Sequence, residues 1–109
     1  MKVKVIKKHP SEWPFQQFPT FKKGTALSIA EKSDSHFLHW HACEIAGHET
    51  FVPECFVCND VLTRDYNPTE LRQEVGDILE VEALFYAWLF AKNEKGETGW
   101  IPAEVVLSL

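Results

Sequence analysis

Histidines and cysteines concentrate in the first half of the chain, where they give the strongest chemical signal in the sequence. All five histidines and all three cysteines lie between residues 9 and 58. The densest stretch comprises His36, His39, His41, Cys43, His48, Cys55 and Cys58. Imidazole nitrogens and thiolates are preferred zinc ligands, and structural zinc sites hold four such ligands in a tetrahedron. The cluster of residues 36–58 therefore predicts either zinc binding or a thiol redox sensor as one hypothesis for function.

The candidate zinc ligands are His39, His41, Cys43, Cys55 and Cys58. The first three alternate along the chain, so a strand would project all three from one face, and we expect that face to point outward. Cys55 and Cys58 have the spacing of half a zinc knuckle. Cysteine is also a common small core residue, so a buried structural role for these thiols stays open.

A thiol–imidazole pair would be the simplest catalytic arrangement that these residues allow. Cys43 beside His41, or Cys55 with any histidine, could form one. The sequence contains no glycine-rich phosphate loop, no nucleophile elbow and no recognisable frame of paired carboxylates. We therefore expect that the chain is not an enzyme and needs no cofactor.

Composition limits the classes of partner. The 109 residues are 45% hydrophobic and 25% charged, which suits a folded chain rather than a disordered one. The formal net charge of −5 disfavours non-specific binding to nucleic acids or anionic membranes, because both require a cationic surface. The first residues lack the apolar core of a signal peptide, and three cysteines is an odd number, so we expect reduced thiols and a cytoplasmic location.

Strand signals dominate, and turn residues recur at short intervals. Strands are predicted over residues 77–82, 86–92, 98–101 and 105–108. The same order of residue types occurs earlier: residues 24–29 resemble 76–81, residues 39–42 resemble 88–91, and residues 47–57 resemble 96–106. Charge also divides the chain, with seven lysines against six acids before residue 59 and four bases against ten acids after it. We therefore predict an internal duplication, with one unit over residues 1–58 and a second over residues 59–109.

Residues 61–109 resemble a Src homology three domain. Val61–Tyr66 is similar to the opening stretch of that family, Gly76–Val81 to its second strand, and Gly99–Val106 to its ending, while Trp88 takes the place of its first paired tryptophan. Residues 21–57 resemble the same family. The resemblance implies an all-β fold of two tandem, five-stranded Src-homology-three-like barrels that pack together.

The family binds extended proline-rich peptides in a groove of aromatic side chains. By resemblance, Tyr66, Trp88 and Pro102 occupy groove positions, while Arg64 replaces the first groove tyrosine. Strand alternation places Leu89 and Ala91 inside and turns Trp88 and Phe90 outward, toward either a ligand or the other barrel. The expected ligand-binding residues are Tyr66, Trp88, Pro102, Phe90 and Arg64.

The preferred hypothesis is therefore an adaptor-type protein, a monomer or weak homodimer, whose partner is a protein or peptide, including proline-containing peptides. No nucleic acid or membrane partner is expected. The zinc or thiol hypothesis is the alternative.

Overall fold

The all-β prediction is confirmed by a computed structural model, which describes residues 1–7, 17–30 and 39–109. The described regular elements are ten short strands and two three-residue 3-10 turns. Their bounds are β1 Lys2–Val5, β2 Leu27–Ile29, β3 Trp40–Ile45, β4 His48–Pro53, the first 3-10 turn Glu54–Phe56, β5 Val57–Cys58, β6 Val61–Leu62, β7 Ile78–Phe85, β8 Trp88–Lys92, β9 Thr98–Pro102, the second 3-10 turn Ala103–Val105 and β10 Val106–Ser108. Among these elements, none is a helix long and apolar enough to cross a membrane.

The chain folds into two compact units whose boundaries differ from the predicted division at residues 58 and 59. Unit 1 combines Met1–Gln17 with Thr69–Leu109, and unit 2 is the intervening stretch Phe18–Pro68. The chain thus leaves unit 1, forms unit 2, and returns. The described strands form a five-stranded, a three-stranded and a two-stranded sheet, and their pairings do not close a barrel.

Unit 1 is built on a sheet in which β1 is an inner strand. The order is β10-β1-β7-β8-β9, and β1 pairs antiparallel with both β10 and β7. The alternation Lys-Val-Lys-Val turns Val3 and Val5 into the core while the lysines face solvent. Their core neighbours are Leu71, Leu79, Leu89, Ala91, Ile101 and Val105. The inward orientation predicted for Leu89 and Ala91 is therefore confirmed.

The segment Val61–Tyr66, predicted to open the second unit, belongs instead to unit 2. Val61 and Leu62 pair with Cys58 and Val57 across the two-residue turn Asn59–Asp60. Both turn residues have positive φ angles, of 52° and 61°, which is the geometry of a tight hairpin turn. Because this turn folds β6 back onto β5, residues 61–62 are unavailable as the first strand of the following unit.

Unit 2 contains the sheet β2-β3-β4 and the hairpin β5-β6. Isolated bridges join Ala26 to Val61 and Phe21 to Tyr66. The Phe56 and Tyr66 rings meet edge-on with centroids 5.3 Å apart. The buried apolar residues of this unit are Phe21, Leu27, Trp40, Cys43, Ile45, Val52, Phe56, Leu62 and Tyr66.

The same pattern of backbone hydrogen bonds occurs within each unit. The Val5 amide donates to the Asp77 carbonyl at 2.9 Å, and the Gly76 amide donates back to the Val5 carbonyl at 2.8 Å. In unit 2 the Leu62 amide donates to the Thr25 carbonyl at 2.9 Å, and the Gly24 amide to the Leu62 carbonyl at 2.8 Å. β6 therefore does in unit 2 what β1 does in unit 1, although β6 comes last in its unit and β1 comes first.

The strand pairings require one correction to the register of the predicted repeat. Trp88 pairs with Pro102, and Trp40 pairs with Pro53, so Trp40 rather than His39 is the counterpart of Trp88. The β3–β4 hairpin turns through residues 46–47 alone, whereas residues 93–97 connect β8 to β9. The stretch from Trp40 to Pro53 is therefore one residue shorter than the stretch from Trp88 to Pro102. The offset that aligns Pro53 with Pro102 consequently aligns His39, and not Trp40, with Trp88.

A fragment of residues 59–109 should not fold by itself, because it lacks β1. Loss of β1 removes two hydrogen-bonded ladders and the buried side chains of Val3 and Val5. Burial of each of these side chains stabilises the fold by about 1.5–3 kcal/mol. Those losses are comparable with the roughly 5–15 kcal/mol that stabilises a domain. Circular dichroism and NMR should show an unfolded fragment beside a folded full chain. A dispersed amide spectrum from the fragment would show that β1 is dispensable.

Candidate functional site

The five residues predicted to bind a ligand are divided between the two units. Trp88, Phe90 and Pro102 lie in unit 1, whereas Tyr66 and Arg64 lie in unit 2. Tyr66 is buried, and its hydroxyl donates to the Phe51 carbonyl at 2.6 Å. The Arg64 guanidinium lies 4.4 Å from the centroid of the Phe56 ring. The assignment of Tyr66 to the groove of the second unit is therefore wrong, because the tight turn before β6 places it in the other unit.

The predicted groove is also not open at its central residues. Trp88 is 9% exposed and lies outside the core cluster of unit 1, while Pro102 is fully buried. Phe90 remains half-buried. Trp88 and Pro102 therefore offer a ligand little accessible surface, whereas Phe90 offers more.

An aromatic row lies on the face of the unit 1 sheet opposite its core. Phe90 pairs with Trp100 across β8 and β9, and their ring centroids are 5.2 Å apart. Phe85 lies 5.7 Å from Trp100. A register shift between Val81 and Ala83 makes Ala83 the partner of Phe90. This bulge is what brings Phe85 onto the face of the row, because one extra residue reverses the alternation of β7.

The row ends at the β7–β8 hairpin, which exposes large apolar side chains. Leu84 is 61% exposed and Tyr86 is 42% exposed. Tyr86 has a φ of 59°, in the left-handed region that bulky residues rarely occupy. We call Leu84, Phe85, Tyr86 and Phe90 the hairpin surface; Leu84 pairs with Leu89 and leaves β7 on the face opposite Phe85 and Phe90, so this surface wraps around the end of the hairpin. Of these four residues, only Phe90 belongs to the predicted ligand-binding set; the aromatic and aliphatic run at residues 84–90 is the sequence signal for the whole surface.

The histidines and cysteines divide into different environments. His39 Nδ1 lies 2.7 Å from Glu54 Oε2, and His41 Nε2 lies 3.7 Å from the same oxygen. Cys43 lies on the same face of β3 as His41 but is buried, which corrects the prediction that this face points outward. Its place in the inward row of β3, beside Ile45, explains the burial. Burial raises the pKa of the Cys43 thiol to about 12, so this sulfur is a poor nucleophile near neutral pH.

The remaining candidates do not gather around the histidine pair as a ready metal site. Cys55 and Cys58 are exposed free thiols. His48 packs against the rings of Phe18 and Phe21, at centroid distances of 6.0 and 5.5 Å. His36 lies outside the described residues. In the part of the chain that the structure describes, no three His, Cys, Asp or Glu side chains already stand as a group that could hold an ion.

Glu54 is the residue that the sequence did not single out. The hydrogen bond from His39 is the main reason that the pKa of its carboxyl is lowered from the ordinary value of 4.5, and the charges of His39 and His41 act in the same direction. Its amide also donates to the His39 carbonyl at 2.7 Å. Glu54 thus joins the first 3-10 turn to the start of β3 through both backbone and side chain.

Comparison with known proteins gives no relative: no family model, no curated protein and no solved structure matches the chain.

The Glu54 carboxylate should make stability depend on acid. Its folded pKa is depressed, so its contribution is present above the unfolded value of 4.5 and is lost as the pH falls through the folded pKa. Glu54→Gln should therefore lower the unfolding midpoint at pH 6, and the difference from the parent chain should shrink toward pH 3. Thermal unfolding across this range measures it. The control is Glu49→Gln, which removes an exposed carboxylate of β4 that pairs with Glu44 of β3. A pH-independent difference for Glu54→Gln would contradict the assignment.

Proposed function

We propose that this chain is an adaptor-type protein-interaction module that recognises a peptide or protein partner through the hairpin surface of unit 1. In this proposal both units are divergent variants of the Src-homology-three-like fold, whose described strand pairings do not close a barrel. Support comes from their shared elements: a three-stranded meander, then a 3-10 turn that follows a proline, then a strand paired with the strand that also flanks the meander.

The observation that carries the proposal is the exposure of Leu84 and Tyr86 at the β7–β8 hairpin, where the aromatic row ends. Exposed apolar side chains that adjoin half-buried aromatics are typical of protein interfaces, in which tyrosine and other aromatics contribute most of the binding energy. Trp88 and Pro102 are buried, so the partner contact moves from the family's groove to the adjacent hairpin.

The backbone of Tyr86 supports the same surface. A left-handed conformation costs a non-glycine residue about 1–2 kcal/mol. Glycine would remove that cost at the tip of a tight turn. A strained tyrosine at an exposed turn is therefore expensive for folding alone, and a role in binding accounts for its presence.

Charge favours a protein partner over a nucleic acid. The chain carries a net charge of −5, and the segment after residue 59 holds ten acids against four bases. A polyanion would be repelled by this surface, whereas a protein segment with apolar and basic groups would not.

Two variants separate binding from folding. Leu84→Glu should weaken partner binding by about 2 kcal/mol or more, roughly thirtyfold in Kd, and leave stability nearly unchanged because Leu84 is 61% exposed. Tyr86→Gly should weaken binding, because it removes the aromatic side chain, and it also relieves the positive φ. Partners identified by affinity purification with the parent chain would be purified and titrated by calorimetry.

Val75→Glu is the matched control, because Val75 is an equally exposed apolar residue of unit 1 outside the hairpin surface. It should leave both stability and binding unchanged. Equal losses of binding in Val75→Glu and Leu84→Glu would show a general effect of added negative charge and would overturn the hairpin surface as the contact.

A further inference from the structure

The outer side of β4 in unit 2 is an open strand edge. β4 is an end strand of its three-stranded sheet. Successive residues of an antiparallel strand direct their backbone groups to opposite sides, and the Glu54 amide donates to the His39 carbonyl in the β3–β4 register. Glu49 and Phe51 therefore direct their backbone groups away from β3. Among the residues that the structure describes, none hydrogen-bonds to the Phe51 amide or to the Glu49 backbone on this side.

Unit 1 shows how a chain segment occupies the corresponding edge of its own sheet. The Trp100 amide donates to the Thr69 carbonyl at 3.1 Å, and the Trp100 carbonyl accepts from the Leu71 amide at 2.8 Å. Glu70 thereby forms a parallel bridge with Trp100. Because Phe51 is the counterpart of Trp100, the position that an extended segment fills in unit 1 is the one that lies open in unit 2.

Unit 2 differs from unit 1 at the point where the Leu71 amide binds. Here the Tyr66 hydroxyl donates to the Phe51 carbonyl at 2.6 Å. Pro19, which takes the place of Leu71 in the sequence repeat, has no N–H to donate. The groups that remain for an added strand are the N–H of Phe51 and both backbone groups of Glu49.

The side chains along this edge favour a segment that carries a basic residue. Phe51 is 43% exposed, and the exposed carboxylates of Glu49 and Glu44 pair directly across β4 and β3. Like charges opposite each other destabilise a sheet, and a cation beside them relieves the repulsion. The matched pair in unit 1 is Lys92 and Thr98, so the paired carboxylates are a feature of unit 2 alone.

We propose that an extended, basic segment of a partner protein adds to the β4 edge as a parallel strand, in the direction that Thr69–Leu71 takes beside β9. One residue of the segment then donates to the Glu49 carbonyl and accepts from the Phe51 amide. The residue before it lies beside the Glu49 side chain, and the residue after it lies beside the Phe51 ring. The segment is therefore expected to carry lysine or arginine, then any residue, then an apolar residue. This surface belongs to unit 2 and is separate from the hairpin surface of unit 1.

Titration of the isotope-labelled full chain with the peptide acetyl-Thr-Lys-Thr-Val-Thr-amide tests the site by amide NMR. The expected result is saturable shifts centred on Glu49 and Phe51. Glutamate in place of the peptide lysine should weaken binding about tenfold or more, because it adds a third negative charge to the pair. Glu49→Lys should remove this preference for the lysine peptide. Glu104→Lys, which changes an exposed acid of unit 1 by the same charge, is the matched control and should preserve it.

N-methylated peptides test the backbone ladder without any change in the protein. The middle threonine of the peptide supplies the N–H for the Glu49 carbonyl, whereas the valine N–H points away from β4. Methylation of the middle threonine nitrogen should therefore abolish binding, and methylation of the valine nitrogen should retain it. Absence of saturable shifts at Glu49 and Phe51, equal loss with both methylated peptides, or an unchanged preference in Glu49→Lys would each overturn the proposal. Sedimentation velocity without peptide tests a second copy as the occupant, and self-association that produces the same shifts would also overturn it.

Discussion

Unit 1 depends on the pairing of β1, a four-residue strand that is far in sequence from every other strand of its sheet. Val5 is fully buried, and β1 forms ladders with both β7 and β10. An inner strand satisfies backbone groups on both sides, and its absence would expose two neighbouring edges. The whole of unit 2 lies in sequence between β1 and the other strands of unit 1. The folding of unit 1 therefore requires β1 to pair across the intervening chain of unit 2.

Local patterns in the sequence were sufficient to predict strands, turns and their repetition. Glycine, proline and the alternation of apolar residues are local signals, and they located β7, β8 and β9 closely. Strand partnership is not a local property. Residues Lys2–Val5 and Val61–Leu62 both resemble a first strand, and only the left-handed turn at Asn59 and Asp60 assigns the second of them to unit 2. Asn and Asp tolerate that conformation, so the sequence contains a turn signal at the point where the predicted division falls.

The candidate sites show the same limit. Alternation along β8 correctly placed Leu89 and Ala91 inside, yet it does not report that Trp88 and Pro102 are covered as well. Glu54 was missed because a single exposed glutamate carries no pattern. The repeat itself held the information: once Trp40 is aligned with Trp88, His39 and Glu54 fall opposite Ala87 and Ala103. A register error of one residue was enough to conceal the cluster.

Differences between matched positions therefore indicate where the two units have diverged in chemistry. Gly99 in β9 admits the backbone of Glu70 and Leu71, since a Cβ there would lie 2.7 Å from the Leu71 nitrogen. Its counterpart in β4 is Thr50, which carries a Cβ. In unit 2 the carbonyl of the next residue, Phe51, accepts a hydrogen bond from the Tyr66 hydroxyl. In unit 1 the corresponding carbonyl, that of Trp100, accepts one from the Leu71 amide. The carbonyl at this matched strand position thus accepts a hydrogen bond in both units, from a side-chain hydroxyl in unit 2 and from a backbone amide in unit 1. The aromatic hairpin of unit 1 and the histidine–glutamate cluster of unit 2 thus lie at positions where the other unit carries different side chains.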